Sequence, residues 1–585
     1  MPTPIGGQFL LAESNPANVL TPEDFTAEHR AIAEAANQFV DGEVMPKVAA
    51  LEAHEPGLAQ SLMRKAAALG FLGLDTPEQF GGLGLDVISS SLVSESMGRQ
   101  GSWAVCIGAH AGIGTLPLVF FGNDEQRRRY LPRLASGELL GAYALSETSS
   151  GSDALAAKTK AVLSDDGTHY VLTGEKMWIS NGAFADLITV FAQLEGAGFT
   201  AFLVERNFPG VSSGREEHKL GIRGSSTTRI LLEGARVPRE NLLYTPGRGH
   251  VVALNILNLG RYKLAVGMLG AARESLRIAV RYAQERKQFG KAIVEFGLIR
   301  AKLADMAVRL FATESACYRL GGLIQQRLDD ATDTADGLPP KVQALEEFLV
   351  ECALMKVHAS EMLDFVVDEA LQIHGGYGYT EEFTVARAYR DARINRIFEG
   401  TNEINRLAAA GTLLRRAQGG RLPLVAACKE AARIATSHVP EPADECEPLG
   451  HEQKYVEAMR QLVLLLCGLA AEHFGEHLGE EQEVLAALAD MVTELFVIES
   501  ATLRTLKCDG ANFAMVAATR VVVFDGVQRL DQLARIVAAT CAEGDELTAQ
   551  LALLRKFTRG PGLDTIALRR IVADAVVERG EYPWR

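Results

Sequence analysis

The chain has 585 residues, of which 48% are hydrophobic and 23% charged. That length exceeds one compact core, and that balance excludes a disordered or fibrous protein. Acidic residues outnumber basic ones by 74 − 59 = 15, a sign that repels phosphate backbones and anionic lipid and so argues against a nucleic-acid partner.

In chain order, the first stretch holds Glu13 and no basic residue before Arg30, so no secretory or mitochondrial leader is read and a cytoplasmic location is expected. From about Thr21 to Gly137 the pattern is helical. Thr21-Pro22-Glu23-Asp24 reads as a capped helix start, Ile32, Ala36, Phe39 and Val40 recur at helical spacing, Gly81–Gly84 is a loop, and Asp124 opens a further helix with acids at its positive end.

Near Gly141 the period changes. Thr168–Ser180, Leu187–Gln193, Phe199–Glu205 and Thr228–Leu232 are short runs of Val, Ile, Thr, Tyr and Phe between turn signals, which predicts antiparallel strands in a small sandwich or barrel. The spacing leaves no room for crossover helices, so a doubly wound sheet is excluded. After about Gly249 long helices return. Tyr262, Val266, Leu269, Leu276, Val280 and Ala283 form one stripe, and Met306, Leu310, Cys317, Leu320 and Ile324 another. Asp329–Pro340 reads as a polar linker, a third helix runs to about His374, and a fourth begins near Asn402, which suits a helix bundle.

Gly419–Gly450, with Pro423, Pro440, Pro442 and Pro448, reads as a linker carrying one short helix. Beyond it Val484, Leu488, Met491, Leu495 and Ile498 line one face of a second helical block. The expected division is therefore 1–140 helical, 141–248 β, 249–417 bundle, and 418–585 linker and helical extension: α+β, mainly α. No apolar run approaches the ~18 residues of a membrane span; Val463–Ala471 is the most tempting, and Glu472 ends it. The eight cysteines (Cys106, Cys317, Cys352, Cys428, Cys446, Cys467, Cys508 and Cys541) contain no C-x-x-C pair, so neither a disulfide framework nor a metal site is read.

Two motifs invite other readings. Gly210–Gly214 matches G-x-S-x-G, but Arg206–Pro209 separates it from the preceding strand, so a loop is expected rather than a hydrolase elbow at Ser212. His473–His477 matches H-x-x-E-H, yet Gly475 and Gly479 weaken a helix there, and a solvated face is expected in place of zinc. Neither G-x-G-x-x-G after a strand nor a P-loop occurs.

Two segments carry polar residues that make poor sense as packing. Tyr143–Asp153 with Lys176–Gly182 combines small hydroxyls, glycine and Trp178, which suits a planar, hydrogen-bonding heterocycle; a polar strand end with a core tryptophan explains them equally. Phe398-Glu399-Gly400-Thr401-Asn402-Glu403-Ile404 puts a carboxylate between an aromatic and a glycine, just before a helix cap at Thr401 or Asn402. Burial there would raise the pKa of Glu399 into the range of a general base. Taken alone, the segment is better explained as a capping loop with a surface glutamate.

In this order and on this domain plan, both segments resemble the acyl-CoA dehydrogenase family, as do Glu285–Gly290 and Gln372–Gly376. Phe199–Arg206, Asn255–Arg261, Phe296–Ile299 and the extension ending near Val577–Gly580 are most similar to its very-long-chain branch. The resemblance implies FAD-dependent α,β-dehydrogenation of a long or very-long-chain fatty acyl-CoA, with electrons passed to an electron-transferring flavoprotein. It makes Glu399 the base for the α proton and its backbone N–H a donor to the thioester oxygen. It assigns the flavin to Tyr143, Leu145, Ser146, Gly151, Ser152, Trp178, Ile179 and Ser180. Arg286, Gln288 and Phe289, with Gln372, Ile373, His374, Gly375 and Gly376, would hold the far end of a neighbouring subunit's FAD in a homodimer built through the bundle. Thr401, Asn402 and Glu403 match an FAD-contacting segment, and Ser152, Asn258, Arg261 and Gly400 match substrate contacts. Relatives that place the base before the arginine have it where Gly260 stands here. Many relatives have glutamine at Gly297. Segment Gly419–Gly450, tied to membrane attachment in that branch, would form only a short amphipathic helix. An acyl-CoA oxidase using oxygen and a weakly catalytic scaffold are the alternatives on the same fold.

Overall fold

Apolar residues spaced by three and four build two long helices, and the other elements are arranged around them. The computed structural model describes residues 3–331, 339–437, 449–508, 512–559 and 562–584. Its first part comprises α1 (Ala27–Phe39), α2 (Val48–Glu52), α3 (Leu58–Ala68), α4 (Val87–Gly98), α5 (Gly101–Ile107), α6 (Leu116–Phe121) and α7 (Asp124–Ala135). The helix start expected at Thr21 is instead a 3-10 turn, Pro22–Asp24, closed by reciprocal Thr21 and Asp24 bonds. The α-helix begins one turn later, where Thr26 Oγ1 accepts from His29 N at 3.1 Å. A π-helix, Gly108–Gly114, joins α5 to α6.

One expectation is corrected here. Among the described residues, Gly101–Phe121 is long and apolar enough to cross a membrane. Its glycines and alanines disguise the run in the sequence, and Trp103, Cys106 and Leu118 in it are core residues.

The sheet has eight strands: β1 (Gly141–Ala144), β2 (Lys160–Leu163), β3 (His169–Ser180), β4 (Leu187–Leu194), β5 (Gly198–Glu205), β6 (Val211–Ser213), β7 (Thr227–Pro238) and β8 (Leu242–Leu243). It is not purely antiparallel, because β4 pairs in parallel with both β1 and β2. Strand β7 is longer than expected: Gly234, at φ 67°, bulges and the ladder continues past it. The G-x-S-x-G match is an edge strand, with Ser212 paired to Leu231, rather than a loop.

The bundle contains α8 (Gly249–Glu285), α9 (Gly297–Asp329), α10 (Pro340–Glu347), α11 (Leu349–His374), α12 (Thr384–Ala392) and α13 (Asn402–Gln418). The hairpin β9 (Lys287–Gln288) and β10 (Lys291–Ala292) joins α8 to α9. At 37 residues α8 is about 56 Å long and packs along α11, α4 and α9. Its approach to α4 is backbone on backbone: a Cβ on Gly270 would stand 1.8 Å from Glu95 O, and one on Gly98 2.0 Å from Gly267 O. Most of the linker read at Asp329–Pro340 lies outside the described residues.

The extension comprises α14 (Leu424–Ser437), α15 (Gly450–Phe474), α16 (Gln482–Lys507), α17 (Phe513–Cys541), α18 (Gly544–Thr558) and α19 (Thr565–Arg579). Within the segment read as a linker, α14 spans 14 residues and buries Ala431 and Ala435 against the extension. Pro440, Pro442, Pro448 and Cys446 lie outside the described residues. The apolar face of α16 covers α9, α11 and α13, so the extension is seated on the bundle. Helix α15 ends at Phe474 and 3-10 geometry follows, so His473 and His477 do not share an α-helical face.

Candidate active site

The loop before α13 carries an uncommon backbone: Glu399 has φ 57° and Gly400 φ 82°. A glutamate in the left-handed region is strained and must be held by its surroundings. Three side chains hold its carbonyls. Arg261 Nε donates to Glu399 O at 3.1 Å, Asn405 Nδ2 to Gly400 O at 2.8 Å, and Lys356 Nζ to Gly400 O at 2.7 Å. Thr401 then caps α13, its Oγ1 accepting from Ile404 N at 3.3 Å.

With the neighbouring cations bound to backbone, the carboxylate itself is left unpaired. Glu399 Oε2 is buried without a hydrogen-bond partner, and a Cβ on Gly260 would lie 3.2 Å from it. Burial pushes the Glu399 carboxyl up to about 6, while the charges of Arg261 and Lys356 pull the other way. The Tyr143 hydroxyl, on β1, is also buried without a partner; burial and then the Glu399 charge hold its pKa well above the usual phenol value. Arg261 NH1 donates to Asn258 Oδ1 at 3.2 Å, which joins the two substrate-matching positions of α8 to the turn.

The carboxylate opens into a mostly apolar cavity of about 290 Å³. Helix α8 lines it with Ile256, Gly260, Leu264, Gly267, Ala271, Ser275 and Ile278. These span 278 − 256 = 22 residues on one helix face, a rise of about 33 Å. Across from them stand α5 and the π-helix, where Gly108 and Gly112 have nothing within 4 Å of an added Cβ. A π-helix at a ligand-sized cavity is a common functional feature. Ser180, at the end of β3, lines the same cavity, so the two polar segments of the sequence meet there.

A flat wall flanks this meeting point. The β3–β7 register shifts between Lys176 and Ile179, and the bulge turns Trp178 outward at φ 58° with 59% of its surface exposed. The tryptophan is therefore not a core residue. Met177 N donates to Ser146 O at 2.9 Å, tying the segments together. Beneath them Lys176 Nζ, fully buried, donates to Glu147 Oε1 at 2.7 Å, and Glu147 accepts from the backbone of Lys158 and Thr159. Leu145 and Ser146 are half-buried, Gly151 and Ser152 lie exposed on the following loop, and Ile179 is buried.

The remaining positions form a separate group. Arg286 lies 5.4 Å over the Tyr377 ring, and Tyr282 stacks on His374 at 4.0 Å, which brings Arg286–Phe289 beside Gln372–Gly376. Gln288, Phe289, Gln372, Gly375 and Gly376 are exposed, while Ile373 and His374 are buried. Along α11 this group stands 374 − 356 = 18 residues from Lys356, about 27 Å. Within one chain it does not join the Glu399 cavity. Of the Thr401–Glu403 segment, Glu403 is exposed and the Asn402 side chain is turned inward, where it bonds Lys356, Ser360 and Glu361.

Sequence reasoning missed Lys356, Asn405 and the Glu147–Lys176 anchor as parts of the site. A lysine inside the apolar run Leu354-Met355-Lys356-Val357 was the available signal, since such a cation stays buried only with partners.

Family models match nearly every described layer. The acyl-CoA dehydrogenase N-terminal domain matches residues 26–138, the middle domain 142–235, the C-terminal domain 247–414, and a further acyl-CoA dehydrogenase C-terminal domain 458–556. A probable acyl-CoA dehydrogenase of Bacillus subtilis is 46% identical over 99% of this chain and 98% of its own length. The human mitochondrial very long-chain specific acyl-CoA dehydrogenase is 39% identical over 69% of this chain and 60% of its own. A crystal structure of an acyl-CoA dehydrogenase complexed with FAD from Bacillus anthracis superimposes with a TM-score of 0.96, at 45% identity, covering 99% of this chain and all of that one.

Proposed function

This chain belongs to the acyl-CoA dehydrogenase family, FAD-dependent oxidoreductases acting on CH–CH groups, and from that premise we propose that it desaturates long-chain fatty acyl-CoA thioesters with Glu399 as base. The observation that carries the assignment of Glu399 is its buried, unpartnered Oε2 at the head of an apolar slot. A carboxylate so placed has lost its water, which makes it a stronger base toward a weakly acidic carbon.

The residues present fit FAD. The outward indole of Trp178 supplies a flat wall, and the buried Tyr143 hydroxyl on β1 is left without a hydrogen-bond partner. Tyr143, Leu145, Ser146, Gly151, Ser152, Trp178, Ile179 and Ser180 would hold its ring system, with Thr401–Glu403 beside it. When bound, FAD supplies the acceptor for the hydride that leaves the β carbon. The protein's own part is to orient and to move a proton. Glu399 takes the α proton, its backbone N–H and the adjoining turn face the thioester oxygen, and Asn258, Arg261 and Ser152 orient the substrate.

The extent of the slot supports the chain-length reading. From Gly260, beside Glu399, to Ile278 the cavity lining follows 18 residues of α8, a rise of about 27 Å, and that length supports a long acyl chain over a short one. The exposed Phe289, Leu298 and Tyr379, with the second residue group around Arg286, support a homodimer in which each chain completes its neighbour's cofactor site. An electron-transferring flavoprotein is the proposed acceptor. Anaerobic mixing of the yellow holoenzyme with acyl-CoAs of graded length tests the whole reading. Bleaching fastest at sixteen carbons or more, with slow reoxidation in air and fast reoxidation by an electron-transferring flavoprotein, is expected. Preference for four to eight carbons would overturn the length reading, and rapid peroxide formation would make the protein an oxidase.

A further inference from the structure

The strained turn of Glu399 and Gly400 has a buried cation beneath it that no part of the assigned chemistry uses. Lys356, near the start of α11, exposes none of its surface. Its ammonium donates to Gly400 O at 2.7 Å and to Asn402 Oδ1 at 2.8 Å. Asn402 is fixed in turn: its Nδ2 donates to Ser360 Oγ at 2.9 Å and to Glu361 Oε1 at 3.1 Å. Glu361 accepts from Arg406 NH2 at 2.8 Å, and Arg406 Nε donates to Asp490 Oδ1 at 2.6 Å. Asp490 belongs to α16. One polar chain thus runs from the extension, through the bundle, to the carbonyl beside the proposed base.

Burying an ammonium is costly unless its partners repay the lost hydration. An apolar residue would pack between α11 and α13 at lower cost, so packing alone does not explain a lysine there. Its hydrogen bonds go to Gly400 O and Asn402, at a turn with positive φ at two successive residues, Glu399 and Gly400. Both cations near Glu399, Lys356 on α11 and Arg261 on α8, spend their donors on carbonyls and leave the carboxylate oxygen free.

We propose that Lys356 is a positioning residue for proton abstraction: held by Asn402, it fixes the Gly400 carbonyl and so the turn that aims Glu399. The proposal rests on the reading of Glu399 as base. The charge of Lys356 has a second consequence. Around the Glu399 carboxyl stand Arg261 from α8, Lys356 from α11 and the Tyr143 hydroxyl from β1, while Glu361 and Glu403 act on Lys356 itself. Removing the lysine's charge leaves Arg261 as the cation opposing burial and raises the Glu399 pKa.

The test compares holoenzymes carrying Lys356→Met, Lys356→Arg and Glu399→Gln in the pH dependence of kcat and kcat/KM, with palmitoyl-CoA and a dye acceptor. Lys356→Met is expected to lose about 10²-fold in kcat, the cost of a misplaced catalytic group, with KM changed far less. Its acid limb of kcat/KM should move up by about one pH unit, and Lys356→Arg should return that limb to the parental position. A merely structural lysine would lower thermal stability in Lys356→Met and leave both kcat and the limb unmoved, which would overturn the proposal. Asn402→Ser keeps the lysine but removes its anchor and gives an independent reading: about a tenfold loss in kcat is expected, and parental kcat there counts against the proposal. Glu399→Gln separates the two claims. Parental turnover in that variant removes the base reading, whereas its inactivity beside a fully active Lys356→Met removes only the role of the lysine.

Discussion

At the scale of single residues, the site depends on a carboxylate kept dry and unpaired. Its pKa, raised by burial to about 6, fixes the sign of one prediction. Below that value Glu399 holds a proton and cannot accept another, so kcat/KM is expected to fall tenfold per pH unit as pH drops below about 6. Steady-state rates between pH 5 and 8 check this, and a limb near the ordinary glutamate range of about 4.3 would show that water reaches the carboxyl. The run Phe398-Glu399-Gly400-Thr401 marks this position in the sequence, but taken alone it reads as a capping loop, and only the family resemblance points to a base at Glu399. Lys356 and Asn405 were not legible, because each meets the turn from another helix, and a lone lysine or asparagine in a helical stripe does not announce its partner.

At the scale of elements, two local departures from regularity build the pocket. The bulge in β3 turns Trp178 out of the sheet, and the π-helix Gly108–Gly114 lays glycines along the slot. Neither could be read from periodicity, since each breaks it. The parallel pairing of β1 with β4, which sets Tyr143 beside Thr189, was hidden for a related reason: it joins strands that other strands separate in sequence. What periodicity did reveal were the long elements α8, α9 and α16, whose apolar stripes are buried as read. The apolar run Gly101–Phe121 was overlooked because its small residues weigh little individually, yet small residues leave the space in the slot. Gly108→Phe should therefore shorten the preferred substrate. The expected result is a loss of at least tenfold in kcat/KM for sixteen-carbon substrate, about 1.4 kcal/mol, with four- to eight-carbon substrates affected far less. An acyl-CoA series measures it, and equal losses at all lengths would place Gly108 outside the acyl path.

At the scale of the whole molecule, the extension is joined to the bundle by buried charge as well as by apolar surface. Glu499 on α16 accepts from Arg460 NH2 at 2.7 Å and lies 2.7 Å from Arg319 NH2, all three side chains being almost wholly buried. Removing Glu499 deprives the buried Arg319 of its carboxylate neighbour, although Arg460 keeps Glu457, and breaking such a buried pair costs about 3–5 kcal/mol. Glu499→Ala should accordingly lower the melting temperature of the holoenzyme by several degrees, and calorimetry giving the parental value would show that water already screens the cluster. Through Asp490, Arg406, Glu361 and Asn402 the extension is also joined by polar contacts to the Glu399–Gly400 turn and its Lys356. The claim on which all this depends is proton removal by Glu399. It is tested most directly by single-turnover flavin reduction in Glu399→Gln that retains its FAD, mixed anaerobically with palmitoyl-CoA. The account predicts bleaching slower by 10²-fold or more, the scale of a lost general base; bleaching at the parental rate would contradict it.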